Sequence, residues 1–269
     1  MFVTLKDLEL IKKIGPRSLK NICKQLAMED NSPSKELIKN EDTLRQFITP
    51  ELTPSFIESI STVTSMEVCI DSVCYLTMSR DMHVVEWNHI NLQGSNQQKQ
   101  VPSQILDQAY HVLDHLPKSS IVLMENRITR KITPLYLQYI FFIGRLQMAL
   151  QTLINEDLRT SGQHKVFHIK DSFLIKTFDL RVGSERVSGQ NIMRDVQNDQ
   201  SSQNVSVASK FWHRYNRLES DILRERYASC FLLSLAFCQN IFLNKPVGKQ
   251  INSLREIENR QLSDLAEST

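Results

Sequence analysis

Glu67 and Glu125 are the carboxylates that stand beside strand-like runs, and carboxylates in such places are the oxygen ligands that hard divalent cations take. For Glu125 the other reading is a capping or solvated carboxylate at a strand end, and for Glu67 an ordinary surface acid. His83, His89, His164 and His168 are scattered, none with a nucleophile partner, so a Cys–His catalytic pair is the weaker chemistry here. The five cysteines (Cys23, Cys69, Cys74, Cys230 and Cys238) form no C-x-x-C pair, and no histidine stands at a finger-like offset. They read as reduced, mostly buried thiols of an intracellular protein. A different chemistry is offered by Lys12, Lys13, Arg17 and Lys20, which crowd around Ile14-Gly15-Pro16-Arg17. There Gly15 permits a tight turn, Pro16 suits the first position of a helix, and exposed backbone amides can hold a phosphate. DNA contact and a purely structural hairpin are both open for this element. Arg127, Arg130 and Lys131 form a second basic group, read either as phosphate or partner contacts or as solvated charges.

The elements that must position these groups follow from periodicity. Leu5, Leu8, Ile11 and Ile14 recur at helical spacing, and Leu19, Ile22, Cys23 and Leu26 follow at once, giving two short helices about the Gly15-Pro16 turn. Residues 27–41, punctuated by Ser32-Pro33-Ser34, read as a linker or helical tether, and Thr53-Pro54 starts a helix with Phe56, Ile57 and Ile60 on its apolar face. Residues 65–92 read as a polar lead-in carrying Glu67, then two alternating strands around the turn Ser79-Arg80-Asp81, with a short third strand near Ile90. A capped helix begins at Ser103 and ends at Pro117, and the apolar run Ser120-Ile121-Val122-Leu123-Met124 marks a strand buried on both faces. A helix over 134–157, a strand over 164–170, helices over 171–180 and 188–196, and a last helix or helix pair over 211–242 complete the pattern. Along that last element Tyr227, Phe231 and Phe242 are open to two readings, core or self-association surface. Trp87 and Trp212 read as core or interface anchors rather than base-stacking platforms.

Composition narrows the classes. The chain has 269 residues, 41% of them hydrophobic, which excludes a disordered chain. Its 32 basic and 30 acidic residues nearly balance, so any nucleic-acid surface must be a local patch. The longest apolar run, 136–150, is broken by Gln138, Gly144, Arg145 and Gln147 and is too short for a bilayer. Residues 1–10, with Asp7 and Glu9, do not read as a transit peptide or a secretory signal. The protein is then cytosolic or nuclear, or the chain lacks its natural beginning.

The order of strand, strand, short strand, helix, strand, helix, strand and helices is that of an RNase H-like α/β fold, with a mixed five-stranded sheet and flanking helices. The sequence resembles the mitochondrial branch of the Holliday-junction resolvases in Cys74-Tyr75-Leu76 of the first strand, Val85-Glu86-Trp87, Val122-Leu123-Met124-Glu125, and Phe231-Leu232-Leu233-Ser234-Leu235-Ala236-Phe237 of the last helix. Those nucleases clamp two divalent metals with about four carboxylates. The resemblance puts their first-strand Asp on Glu67, with Cys69 in place of the following Gly, and their fourth-strand acid on Glu125. The paired acids of the last helix fall on Glu225 and Arg226, and a third on Ser229. On this register Arg226 and Ser229 replace metal-binding acids, so no catalytic residue, metal or other cofactor is expected.

A closer resemblance is to the mitochondrial transcription elongation factor family of animals. It rests on the Phe47-Ile48-Thr49-Pro50-Glu51 approach helix, Val84-Val85-Glu86-Trp87, Pro117-Lys118, Gly162-Gln163-His164-Lys165-Val166, Ser188-Gly189, and residues 232–237. It implies a small all-α helix-hairpin-helix module over 1–30, a linker and approach helix over 31–61, an inert RNase H-like domain over 62–243, and a polar tail over 244–269. It further implies a non-enzymatic factor of the mitochondrial matrix nucleoid, without its complete N-terminus here. Its expected partners are mitochondrial RNA polymerase, double-stranded DNA, nascent RNA and a second copy in a homodimer, with no membrane. In the hairpin the DNA-binding residues would be Lys12, Lys13, Gly15, Arg17 and Lys20, and at the rim of the former active site Arg127, Arg130 and Lys131. The other function class is an active junction-resolving endonuclease with a rearranged acid set.

Overall fold

The computed structural model describes residues 46–92, 101–126, 134–182, 185–198 and 205–243. The hairpin module, the basic group Arg127, Arg130 and Lys131, and the C-terminal tail lie outside the described residues. The chain divides into two compact units, Met1–Thr43 and Leu44–Thr269, and all described residues belong to the second.

The strands are β1 (Ile48–Thr49), β2 (Thr62–Val68), β3 (Ser72–Ser79), β4 (Val84–Asn91), β5 (Ile121–Asn126) and β6 (Val166–Lys170), in the sheet order β1-β6-β5-β2-β3-β4. A second, two-stranded ladder pairs β7 (Arg181–Val182) with β8 (Glu185–Arg186). In the large sheet β2, β3 and β4 form an antiparallel meander, while β2, β5 and β6 run parallel. The helices are α1 (Pro54–Ser59), α2 (Pro102–His115), α3 (Pro134–Ile154), α4 (Leu158–Ser161), α5 (Asp171–Phe178), α6 (Gln190–Asn198), α7 (Ser209–Asn216) and α8 (Asp221–Phe237), the last continuing as a π-turn over Cys238–Phe242.

The stretch expected to be a polar lead-in is β2, a central strand. Its Thr64 and Ser65 are fully buried, because the sheet and α8 satisfy their hydroxyls. Thr64 Oγ1 lies 2.8 Å from Thr77 Oγ1, Ser65 Oγ donates to the Cys230 carbonyl at 2.6 Å, and Ser234 Oγ donates to Ser65 Oγ at 2.9 Å. Cys74-Tyr75-Leu76 therefore belongs to the second strand of the meander, and Ile90 extends β4 instead of forming a strand of its own. The Phe47–Glu51 stretch is also corrected: Ile48 and Thr49 pair with Ile169 and His168 as a sixth, edge strand, and the helix comes later, over Pro54–Ser59. Thr53 caps that helix through its hydroxyl, and Pro54 opens it.

The sheet separates two cores. On one face, Met66, Val68, Val73, Tyr75, Val122 and Met124 meet Ile105, Ala109 and Val112 of α2 and Phe142, Leu146 and Leu150 of α3. On the other, Val63, Cys74, Leu76, Trp87 and Leu123 meet α8 and the helices packed around it. Residues 227–237 of α8 are all buried, so beyond its charged first turns this helix is enclosed on every side, with Ser229 and Ser234 the polar residues among its apolar ones. Tyr227 and Phe231 belong to that core and carry no self-association surface, while Phe242 packs edge-on to Phe237 under the Arg80 guanidinium. Trp87 and Trp212 are core anchors, 1% and 6% exposed.

Candidate functional site

Strand alternation points Val63, Ser65 and Glu67 of β2 toward α8, and helical spacing turns Glu225, Arg226 and Ser229 back toward the end of that strand. Glu125 ends the parallel neighbour β5, where it is in register with Ile169 of β6. The five positions singled out from the sequence therefore meet at one end of the sheet. They line two neighbouring cavities that share Glu67 and Arg226. The larger, about 820 Å³, is bounded by Glu125, Tyr139, Ile143 and His168; the smaller, about 540 Å³, by Ser188, Asp221, Glu225 and Ser229.

Partners within the protein already hold the chief charges. Arg226 Nη1 lies 2.5 Å from Asp71 Oδ1 and 3.0 Å from Ser72 Oγ. The Arg226 side chain is only 16% exposed. Burial acts to raise the Asp71 carboxyl, but the hydrogen bond and charge of Arg226 outweigh it and hold the group below its ordinary value. Asp71 has no signature in the sequence because it sits in the tight β2–β3 turn, outside any strand; the hydrogen bond from Cys69 N to the Ser72 carbonyl closes that turn. Both Glu225 oxygens are engaged as well: Oε2 accepts from Ser188 Oγ at 2.5 Å and Oε1 from the Gly189 amide at 3.0 Å. Its carboxylate thus fastens the entry to α6, where a negative group also suits the helix dipole. Ser188-Gly189, legible in the sequence only as a short motif, is the other half of that fastening.

Glu67 Oε1 accepts from Cys69 Sγ at 3.8 Å. His168 Nε2 stands 3.0 Å from Gln151 Oε1, and burial holds its imidazole below the ordinary value. Among the described residues no group of three or more His, Cys, Asp or Glu side chains is placed to hold a metal ion. Between the two cavities Arg226 supplies a fixed positive charge with directional hydrogen-bond donors and no Lewis acidity. His83 faces Ser206, 3.1 Å from its hydroxyl, and His89 Nδ1 lies 2.7 Å from the Tyr227 hydroxyl, with Cys74 as its cross-strand neighbour. Burial pushes the thiols of Cys74 and Cys230 up, so they are poor nucleophiles.

The architecture and this site define the class: an α/β fold of the RNase H-like, resolvase type. The yeast mitochondrial Holliday junction resolvase has the same fold, with a TM-score of 0.53 and 14% identity over 69% of this chain and 82% of that one. In sequence, the relatives are mitochondrial transcription elongation factors, the family whose motifs the chain resembles. That of Rattus norvegicus is 22% identical over 194 residues, and that of Homo sapiens 17% over 193; each match covers 72% of this chain. The chain spans about half the length of these curated relatives, 53% and 54%. No family model matches the sequence.

Proposed function

We propose that this protein is a non-catalytic mitochondrial transcription elongation factor. In this reading it acts in the matrix nucleoid, binds the mitochondrial RNA polymerase and the DNA ahead of it, and makes transcription more processive. The observation that carries the reading is the Arg226 guanidinium, fixed by Asp71 and Ser72 in the midst of the acids that a nuclease would leave open for metals. The names of the relatives support it independently.

A resolvase-type fold is shaped to lie along duplex DNA, and without metals it holds the duplex but does not cut it. The hairpin, through Lys12, Lys13, Arg17 and Lys20, supplies a second, sequence-independent grip. Two weak grips on one polymer raise each other's effective concentration, so neither has to be tight. The near-neutral charge suits a factor recruited by a protein partner. Nascent RNA and a second copy of the chain are the further partners of this reading, with Arg127, Arg130 and Lys131 as DNA contacts.

The competing activity is junction resolution. The protein is incubated with a four-way junction and Mg²⁺ or Mn²⁺ beside the Glu125→Gln variant, and no cleavage is expected from either. Metal-dependent cleavage that Glu125→Gln abolishes would make the protein a nuclease with a rearranged acid set.

A further inference from the structure

We infer that the outer face of α7 is a binding surface for a nucleic-acid phosphate backbone, made of residues other than those that line the acidic cavities. Lys210, His213, Arg214 and Arg217 recur at helical spacing, and all four are exposed. Arg217 caps the helix with right-handed helical backbone, so it prolongs the same stripe. Lys210 to Arg217 covers about 10 Å of axis at the helical rise, a length along which one strand of a duplex presents about three phosphates.

Lys210 and Arg214 are held in place by the fold. The Lys210 ammonium lies 4.6 Å from the centroid of the Phe211 ring. Arg214 Nη1 donates to the Trp87 carbonyl at 2.7 Å and pairs with Glu86 at 3.3 Å. Glu86 offsets part of one charge, and Lys210 and Arg217 form no salt bridge with a described residue.

The composition of the face selects the partner. Protein interfaces centre on aromatic or aliphatic anchors that lose their water on docking. Here every apolar side chain of the helix, Phe211, Trp212 and Tyr215, is already buried in the core, at 2%, 6% and 5% exposure. What remains outside is polar or charged: Ser209, Lys210, His213, Arg214, Asn216 and Arg217. Such a face offers an acidic polymer charge without an apolar anchor, which is how phosphate backbones are held.

The test uses the full chain and a Lys210→Gln/Arg217→Gln variant. Arg214 is left intact because it ties α7 to β4. Fluorescence anisotropy with a labelled 30-base-pair duplex, and separately with a labelled single-stranded 30-nucleotide RNA, gives the affinity between 50 and 200 mM salt. The double variant is expected to bind about tenfold more weakly at the lower salt, and its log–log salt slope to fall by about 1.8 on duplex or about 1.4 on single strand. Lys210→Gln alone should lose about half of that change. A loss on only one probe still supports the surface and tells duplex DNA from RNA as the source of the phosphates. Wild-type affinity and slope in the double variant on both probes, with an unchanged thermal midpoint, would mean a merely solvated face and overturn the proposal. A loss of binding to poly-glutamate with nucleic-acid binding intact would overturn it in favour of an acidic protein partner. Transcription plays no part in these readouts, so failure of the elongation reading would leave them intact.

Discussion

Gly189 sits against Leu232 with no room for a methyl group: an ideal Cβ there would stand 2.7 Å from Leu232 Cδ1 and 3.7 Å from Ala228 Cβ. Leu232 is 1% exposed and cannot swing away freely. Gly189→Ala should therefore lower stability by about 1–2 kcal/mol in urea unfolding, the usual cost of overpacking. Adding Leu232→Ala should give less than the sum of the two single losses, because that change removes the clash. A second residue-scale expectation concerns pH. Burial and then the Arg214 charge hold the His89 imidazole below its ordinary value; burial alone does so for His168. A lowered histidine leaves the folded chain neutral where the unfolded chain takes up a proton. The stability it contributes is present above the unfolded value, about 6.5, and is lost as pH falls toward the folded value. Thermal midpoints should thus drop on acidification from about pH 7 to 5. His89→Gln should flatten that drop, and an unchanged slope would mean that His89 takes no part in it.

At the scale of elements, α8 is the axis around which the rest is arranged. It buries residues 227–237 and brings Glu225, Arg226 and Ser229 to the end of β2. Trp87 locks it to the edge of the sheet: its ring stacks on Tyr215 at 5.1 Å, meets Trp212 edge-on at 5.7 Å, and donates Nε1–H to the Tyr227 carbonyl at 3.3 Å. Trp87→Ala should cost about 3–5 kcal/mol, measured by chemical unfolding. A cost below about 1 kcal/mol would mean that α7 and α8 do not depend on this cluster. Periodicity makes α2, α3, α5 and the β3–β4 hairpin legible, since each carries apolar residues at the period of its own element, and β5 is legible as a short unbroken apolar run. The same rule hides β2, because Thr64 and Ser65 are polar yet buried, and their hydroxyl partners lie on β3 and α8, far away in sequence. Glu67, Glu125, Glu225, Arg226 and Ser229 stand out as a set only through family spacing. Asp71 and the Ser188–Gly189 fastening emerge only in the tertiary structure, because neither follows a local period.

For the whole molecule, the described residues form a resolvase-type fold whose acid-lined cavities are tied up by its own side chains; the grip on a phosphate backbone belongs to the function proposed above. If the hairpin contributes, a chain beginning near Asn40 should bind duplex DNA more weakly than the full chain, with a salt slope lower by about one unit for each phosphate that the hairpin holds. Equal affinity would leave residues 1–30 a structural role only. The measurement that bears most directly on the central claim is run-off transcription by mitochondrial RNA polymerase on a long template, with and without the protein. More full-length transcript is predicted in its presence, and co-purification of the two proteins. An unchanged transcript length with no co-purification would contradict the claim.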